Sequence, residues 1–169
     1  PVHFHRPPTL KPLPSPVREG GGALEDLRAI VHLDGDEWKT AVAFLLTAMM
    51  PPELADGQPA PRPLLLLTGE HGTGKTTRAE ALVKLIDPRE SVSGALPDDT
   101  RELAVHARNR WLLLFDNLSG SPQLSDALCR LLDGAGFSVR ALYSNNDEMV
   151  FSGSRPIIIT GIDAAPNRQ

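Results

Sequence analysis

Apolar and polar positions along this chain repeat with two different periods, and the periods predict its elements. Leu24, Leu27, Ile30 and Val31 recur at helical spacing. After an Asp34-Gly35-Asp36 break, Glu37 to Met50 continues the helical pattern with Trp38, Val42, Leu45, Leu46 and Met49, until Pro51-Pro52 stops it. Trp38 and the two methionines are expected in the core. Four leucines predict a buried strand over 64–68, and the next helical pattern runs from Thr76 to Leu85 and ends near Asp87-Pro88. Residues 91–96 suit a short strand. Residues 99–109 suit a helix capped by Asp98 or Asp99, with Leu103 and Ala107 on its apolar side. Trp111 to Phe115 (WLLLF) is a continuous apolar run, the pattern of a strand buried on both faces. Ser121 to Leu132 predicts an amphipathic helix with Leu124, Leu128, Leu131 and Leu132 inward. Phe137 to Tyr143 and Met149 to Phe151 alternate around the polar tip Ser144-Asn145-Asn146-Asp147, which predicts a β-hairpin. Pro156 to Thr160 (PIIIT) is the last strand, ending at Gly161. Strands alternating with helices predict a three-layer α/β fold. Its central sheet is mainly parallel, a hairpin is inserted before the last strand, and ligands sit at the carboxyl ends of the strands.

The first 22 residues differ in kind. Pro1, Pro7, Pro8, Pro12, Pro14 and Pro16 cannot pair in a sheet interior or continue a helix, and Gly20-Gly21-Gly22 closes the stretch. Residues 1–22 are therefore an arm or linker, 23–163 the core domain and 164–169 a tail. His3 and His5 flank Phe4 without a cysteine or carboxylate partner, so an arm is favoured over a metal site. The chain opens without methionine and closes in Ala-Ala-Pro-Asn-Arg-Gln, the expectation being a piece of a longer protein.

Composition narrows the class only modestly. At 169 residues the chain supports one domain with a substantial core. The net charge of −4 gives no overall electrostatic pull toward nucleic acid, although a local basic face is compatible with it. One cysteine, Cys129, excludes an internal disulfide and is compatible with a reducing cytosol. No apolar run approaches the ~20 residues of a membrane span, and residues 1–22 lack the apolar core of a signal peptide. The expectation is a cytoplasmic protein with no membrane partner.

The chemistry gathers after the first strand. Gly69-Glu70-His71-Gly72-Thr73-Gly74-Lys75-Thr76 fits G-x-x-x-x-G-K-[ST] at every fixed position, with Thr77 following. Glycines let the backbone approach a polyphosphate, successive N–H groups turn toward its oxygens, and the helix that follows offers its positive end. Lys75 would reach the β- and γ-phosphates, and the Thr76 hydroxyl would ligate Mg²⁺. The pattern predicts a P-loop NTPase that binds Mg-nucleotide through Gly69 to Thr77. A partner acid is needed at the end of a buried strand. Asp116, directly after WLLLF, fits the Walker B position, holding Mg²⁺ largely through water. Asn117 follows, where many such ATPases carry a glutamate that activates water; an amide cannot take a proton. Glu70 and Asp126 are weak substitutes, and the base stays open.

The P-loop, LLLFDN, the following helix, the hairpin GFSVRALYSNNDEMVF and RPIIIT together resemble the ATPase core of superfamily III helicases within the AAA+ class. More narrowly, they resemble the helicase-like ATPases of phages and integrated mobile elements, often attached to a primase-polymerase. The resemblance covers about residues 36–162. It implies ATP as the nucleotide, a ring oligomer and single-stranded DNA as partner. It places Arg140 and Tyr143 on a channel-facing hairpin, and Thr160 at the sensor position that contacts the γ-phosphate or attacking water. Three departures stand out. Thr160 replaces the usual asparagine, Asp147 and Glu148 put negative charge at the hairpin tip, and no helical lid is expected within the residues up to Gln169. Ring ATPases complete a neighbour's site with an arginine, for which Arg155 and Arg130 are the candidates. A nucleotide switch with slow hydrolysis is the alternative. A small-molecule kinase is weaker, since no arginine-rich lid cluster appears. The GTPase class lacks its N-K-x-D motif, and the ABC-like Leu118-Ser119-Gly120 stretch falls on the wrong side of Asp116.

Overall fold

The computed structural model describes residues 7, 9–15, 24–116, 122–140 and 148–162. Helices α1 (Leu24–Val31) and α2 (Gly35–Met49) precede strand β1 (Leu64–Gly69), helix α3 (Lys75–Ile86) and the short strand β2 (Gly94–Ala95). Helix α4 (Thr100–Asn109), β3 (Leu113–Asp116), α5 (Pro122–Asp133), β4 (Phe137–Arg140), β5 (Glu148–Phe151) and β6 (Ile157–Ile162) follow. Four strands form one parallel sheet in the order β1-β6-β3-β2. β4 and β5 form a separate antiparallel hairpin with Phe137 opposite Phe151 and Arg140 opposite Glu148.

The central strands are apolar on both faces because helices cover both. Leu112, Leu114 and Ile158 pack with Leu65 against α1, α2 and α3. Leu113, Phe115, Ile157 and Ile159 point the other way, into a second core with Leu103, Ala107, Ala127, Leu128 and Leu131 of α4 and α5. Phe151 joins that second core and anchors the hairpin there. The result is an α/β fold with helices on both faces of a parallel sheet, as the alternation of periods predicts.

Four details depart from the expectations. β1 is an edge strand and is buried on one face only: Leu65 is 6% exposed, whereas Leu64 and Leu66 are 49% and 52% exposed. The reason is that α4 and α5 cover β3 and β6 but contribute nothing over β1. Met49 and Met50 are each 59% exposed rather than packed in the core. The inward stripe of α2 is Ala41, Phe44, Leu45 and Ala48, and Leu46 and Met49 fall on the opposite side of the helix. Trp38 does pack, partly buried, against the first core. β2 shrinks to two residues because only Gly94 and Ala95 pair with β3. Finally, β3 begins at Leu113 rather than Trp111. The Trp111 and Leu112 N–H groups donate instead to Asp87 Oδ2, at 2.8 and 3.1 Å. Asp99, not Asp98, caps α4, accepting from the Glu102 N–H at 2.8 Å.

The amino ends of the strands are tied by buried charge. Arg89 pairs with Asp87 at 2.7 Å, their side chains 3% and 6% exposed, and also donates to the Leu112 carbonyl. Arg62 closes the end of α2 by donating to the carbonyls of Thr47 (2.7 Å) and Pro51 (2.5 Å). The Trp111 ring carries the Arg62 and Arg155 guanidiniums at 5.1 and 5.2 Å, and its Nε1–H donates to Ala48 O.

Candidate functional site

β1 runs into a loop, Gly69 to Gly74, that only glycine can shape at its two ends. Gly74 has φ 76° immediately before α3, the left-handed region that strains other residues. A Cβ on Gly69, at φ 153°, would approach Thr73 Oγ1 to 3.2 Å. Thr73 Oγ1 instead donates to Glu70 O at 2.9 Å and closes the turn. α3 starts at Lys75, so the N–H groups of its first turn have no acceptor within the helix and form a donor-rich end. Lys75 folds back over the loop, its Nζ donating to Gly69 O (2.9 Å) and Glu70 O (2.6 Å).

Sheet order brings the remaining chemistry to this loop. β6 lies between β1 and β3, with Thr160 in register with Leu67 on one side and Asp116 on the other. Thr160 is fully buried, and its hydroxyl donates to Asp116 Oδ1. Thr76 Oγ1, forty residues before Asp116, lies 3.3 and 3.4 Å from its two carboxylate oxygens. A cavity of about 480 Å³ opens here, lined by His71, Gly72, Gly74, Lys75, Thr76, Thr77, Asp116, Thr160 and Gly161. Sequence reasoning missed Gly161, whose only signal was its place after the sensor position. It also missed a neighbouring cleft of about 370 Å³ that shares Lys75 and reaches Asp36, Thr40 and Arg78.

The other expected positions fall elsewhere. Glu70 is exposed and does not line the cavity. Asp126 pairs with Arg130 at 3.0 Å on the exposed face of α5. Arg155 lies before β6, at the end of the sheet opposite the loop. There it donates to the carbonyls of Ala107, Arg110 and Ser154 at 2.9–3.0 Å and stacks on Trp111 and Phe151. Burial, then the neighbouring Arg62 charge, lowers its pKa, with Asp87 opposing. Its guanidinium is thus engaged within its own chain rather than presented to a neighbour. Arg140 ends β4 of the hairpin. Asn117, Tyr143 and the tip residues 144–147 lie outside the described residues, as do His3 and His5.

The cavity's donors fit Mg-nucleotide. A hydroxyl and a carboxylate within hydrogen-bond distance are hard oxygen ligands of the kind Mg²⁺ takes, beside a lysine and a donor-rich helix end for phosphate. Among the described residues no group of three or more His, Cys, Asp or Glu gathers as a metal site. Mg²⁺ shared with phosphates and water needs only one or two protein ligands.

The model of the actinomycete integrative conjugative element replication protein family matches residues 27–168. The chain belongs to that family. Among curated proteins none matches this family member. Among solved structures it is similar to the apo C-terminal region of NrS-1, at 16% identity and a TM-score of 0.54, covering 92% of this chain and 38% of that one. It is also similar to JCV helicase with a bound small molecule, at 20% identity and a TM-score of 0.48, covering 90% of this chain and 44% of that one. The chain therefore spans less than half the length of either of these two structures, and at 16% identity the NrS-1 likeness concerns the fold. Among the described residues no helix is long and apolar enough to cross a membrane.

Proposed function

We propose that this replication-family chain is an Mg-dependent ATPase module of the P-loop, AAA+ helicase-like class, working as an oligomer on single-stranded DNA. The observation that carries the reading is the meeting of Thr76, Asp116 and Thr160 at the mouth of the Gly69–Thr76 loop. The loop and first turn of α3 would receive the phosphates, and Lys75 would exchange its carbonyl partners for them. Thr76 and Asp116 would hold Mg²⁺. Bound Mg-ATP supplies a phosphoryl group whose transfer needs positioning and charge neutralisation more than covalent help. Thr160 fixes the carboxylate of Asp116 by donating to it. The family description agrees with a replication role.

Hydrolysis with and without single-stranded DNA, beside Lys75→Ala and Asp116→Ala, tests this. Lys75→Ala should abolish turnover and weaken nucleotide binding, and Asp116→Ala should remove the Mg dependence. Wild-type turnover in Lys75→Ala would sink the assignment.

One observation favours a second reading, a nucleotide switch with slow hydrolysis. Among the described residues Asp116 is the only carboxylate lining the cavity, and a metal-holding carboxylate is not free to deprotonate water. Tight nucleotide binding with negligible turnover, unchanged by DNA, would select it.

A further inference from the structure

At the amino ends of the strands, far from the glycine-rich loop in the sheet, a second cleft of about 670 Å³ opens. Arg108, Arg110, Trp111, Arg155 and Asp87 line it, and Pro7 and Leu10 of the arm form a wall. The charges here do not balance. Arg89, Arg110 and Arg155 gather about Asp87, which among the described residues is the carboxylate acting on all three, and Arg62 adds its charge beside Arg155. Its Oδ2 already accepts from Arg89 and from two backbone N–H groups. Three of the four guanidiniums also have backbone carbonyls: Arg62 those of Thr47 and Pro51, Arg89 that of Leu112, and Arg155 those of Ala107 and Arg110. Arg110 differs in having no carbonyl partner among the described residues. Its Nη1, like Arg62 Nε and Arg89 Nε, is buried without an acceptor among those residues, a costly state for a cationic donor.

We propose that this cleft is a phosphate-binding site, separate from the glycine-rich loop, in which Arg110 and the exposed Arg108 hold the anion. Guanidinium forks bind tetrahedral oxyanions with paired N–H donors. The surplus over Asp87 exceeds one positive charge, so a phosphate near its dianion balances it better than a carboxylate. Burial lowers the Arg89 pKa; Asp87 opposes it, and the smaller repulsion from Arg110 adds to the lowering.

The test uses the full chain carrying Lys75→Ala, which disables the loop's own lysine. Millimolar inorganic phosphate, against sodium chloride at matched ionic strength, should raise Tm by roughly 3 °C or more. Adding Arg110→Gln should remove that shift, and adding Arg108→Gln, at the exposed rim, should weaken phosphate affinity about tenfold, ~1.4 kcal/mol. An absent shift in Lys75→Ala, or one unaltered by both arginine substitutions, overturns the site. If Arg110→Gln fails to fold, Arg108→Gln with Arg108→Lys as partial rescue decides the matter alone. A labelled single-stranded oligonucleotide identifies the source of the phosphate. Binding that is lost with Arg110→Gln and competed by phosphate assigns a nucleic-acid backbone; binding indifferent to Arg110 assigns free phosphate.

Discussion

Thr160 joins three parts of the chain that are distant in sequence. Its backbone sits between the strand that launches the glycine-rich loop and the strand that ends in Asp116. Its hydroxyl spends a hydrogen bond on the Asp116 carboxylate. In the family it resembles, an asparagine at this place touches the nucleotide. Here the threonine orients the acid expected to hold Mg²⁺. Thr160→Val keeps the shape and removes that donor, so Mg²⁺ affinity or turnover should fall roughly 10- to 100-fold, the usual cost of losing a partner behind a metal ligand. Mg²⁺ titration of turnover checks this, and an unchanged titration curve would deny the positioning role. His106 supplies a second prediction. Burial first, then Arg110, with Arg89 adding and Glu102 opposing, lowers its pKa below the ordinary imidazole value. A depressed pKa favours the neutral ring in the folded state. Its contribution is therefore complete above the ordinary value near 6.5 and is lost as pH falls below it. Melting temperature should decline between about pH 7 and pH 5, and His106→Leu should flatten that decline. Equal slopes in both proteins would remove His106 from the account.

At the scale of elements, Asp87 is the tie that holds α3 to the start of β3. One carboxylate oxygen takes Arg89 and the N–H groups of Trp111 and Leu112. Asp87→Ala leaves Arg89 buried without its counter-ion and should cost about 3–5 kcal/mol, read as a lowered midpoint in urea. A loss below about 1 kcal/mol would mean that solvent reaches the pair. The same contact explains why β3 starts later than its apolar run: the hydrogen-bonding partner that stops the ladder is a side chain from another element, invisible to local pattern. Among the described residues periodicity found the helices and strands, because burial on two faces leaves continuous apolar runs and burial on one leaves stripes. It misplaced the inward face of α2, where Leu46 and Met49 kept the helical spacing but not the phase of Ala41, Phe44, Leu45 and Ala48. It also took residues 64–68 for a buried strand, although Leu64 and Leu66 are exposed, since an edge strand and a central one differ in their neighbours rather than in their residues. The glycine-rich loop was legible because its function lies in contiguous residues. That Thr160 would stand between β1, which launches the glycine-rich loop, and Asp116 depended on the order β1-β6-β3, which no local spacing encodes.

For the whole molecule, the family places the chain among replication proteins of integrative conjugative elements. The chain covers 38% of the NrS-1 C-terminal region. The arginines bear on how subunits would meet. Arg155 is committed to carbonyls of its own chain, whereas Arg130 stands on an exposed face, held by an i,i+4 pair with Asp126 that is weak enough to exchange. Arg130→Ala should therefore lower turnover in the assembled state, and mixing it with Lys75→Ala should restore part of the activity if sites are shared between subunits. No complementation would take Arg130 out of that role. The most direct measurement is Mg-ATP hydrolysis across a protein concentration series, with and without single-stranded DNA, beside Lys75→Ala. Specific activity should climb with concentration, climb again with DNA, and vanish in Lys75→Ala. Turnover that persists in Lys75→Ala, or that is flat and negligible at every concentration with and without DNA, would contradict a hydrolysing motor built on this loop.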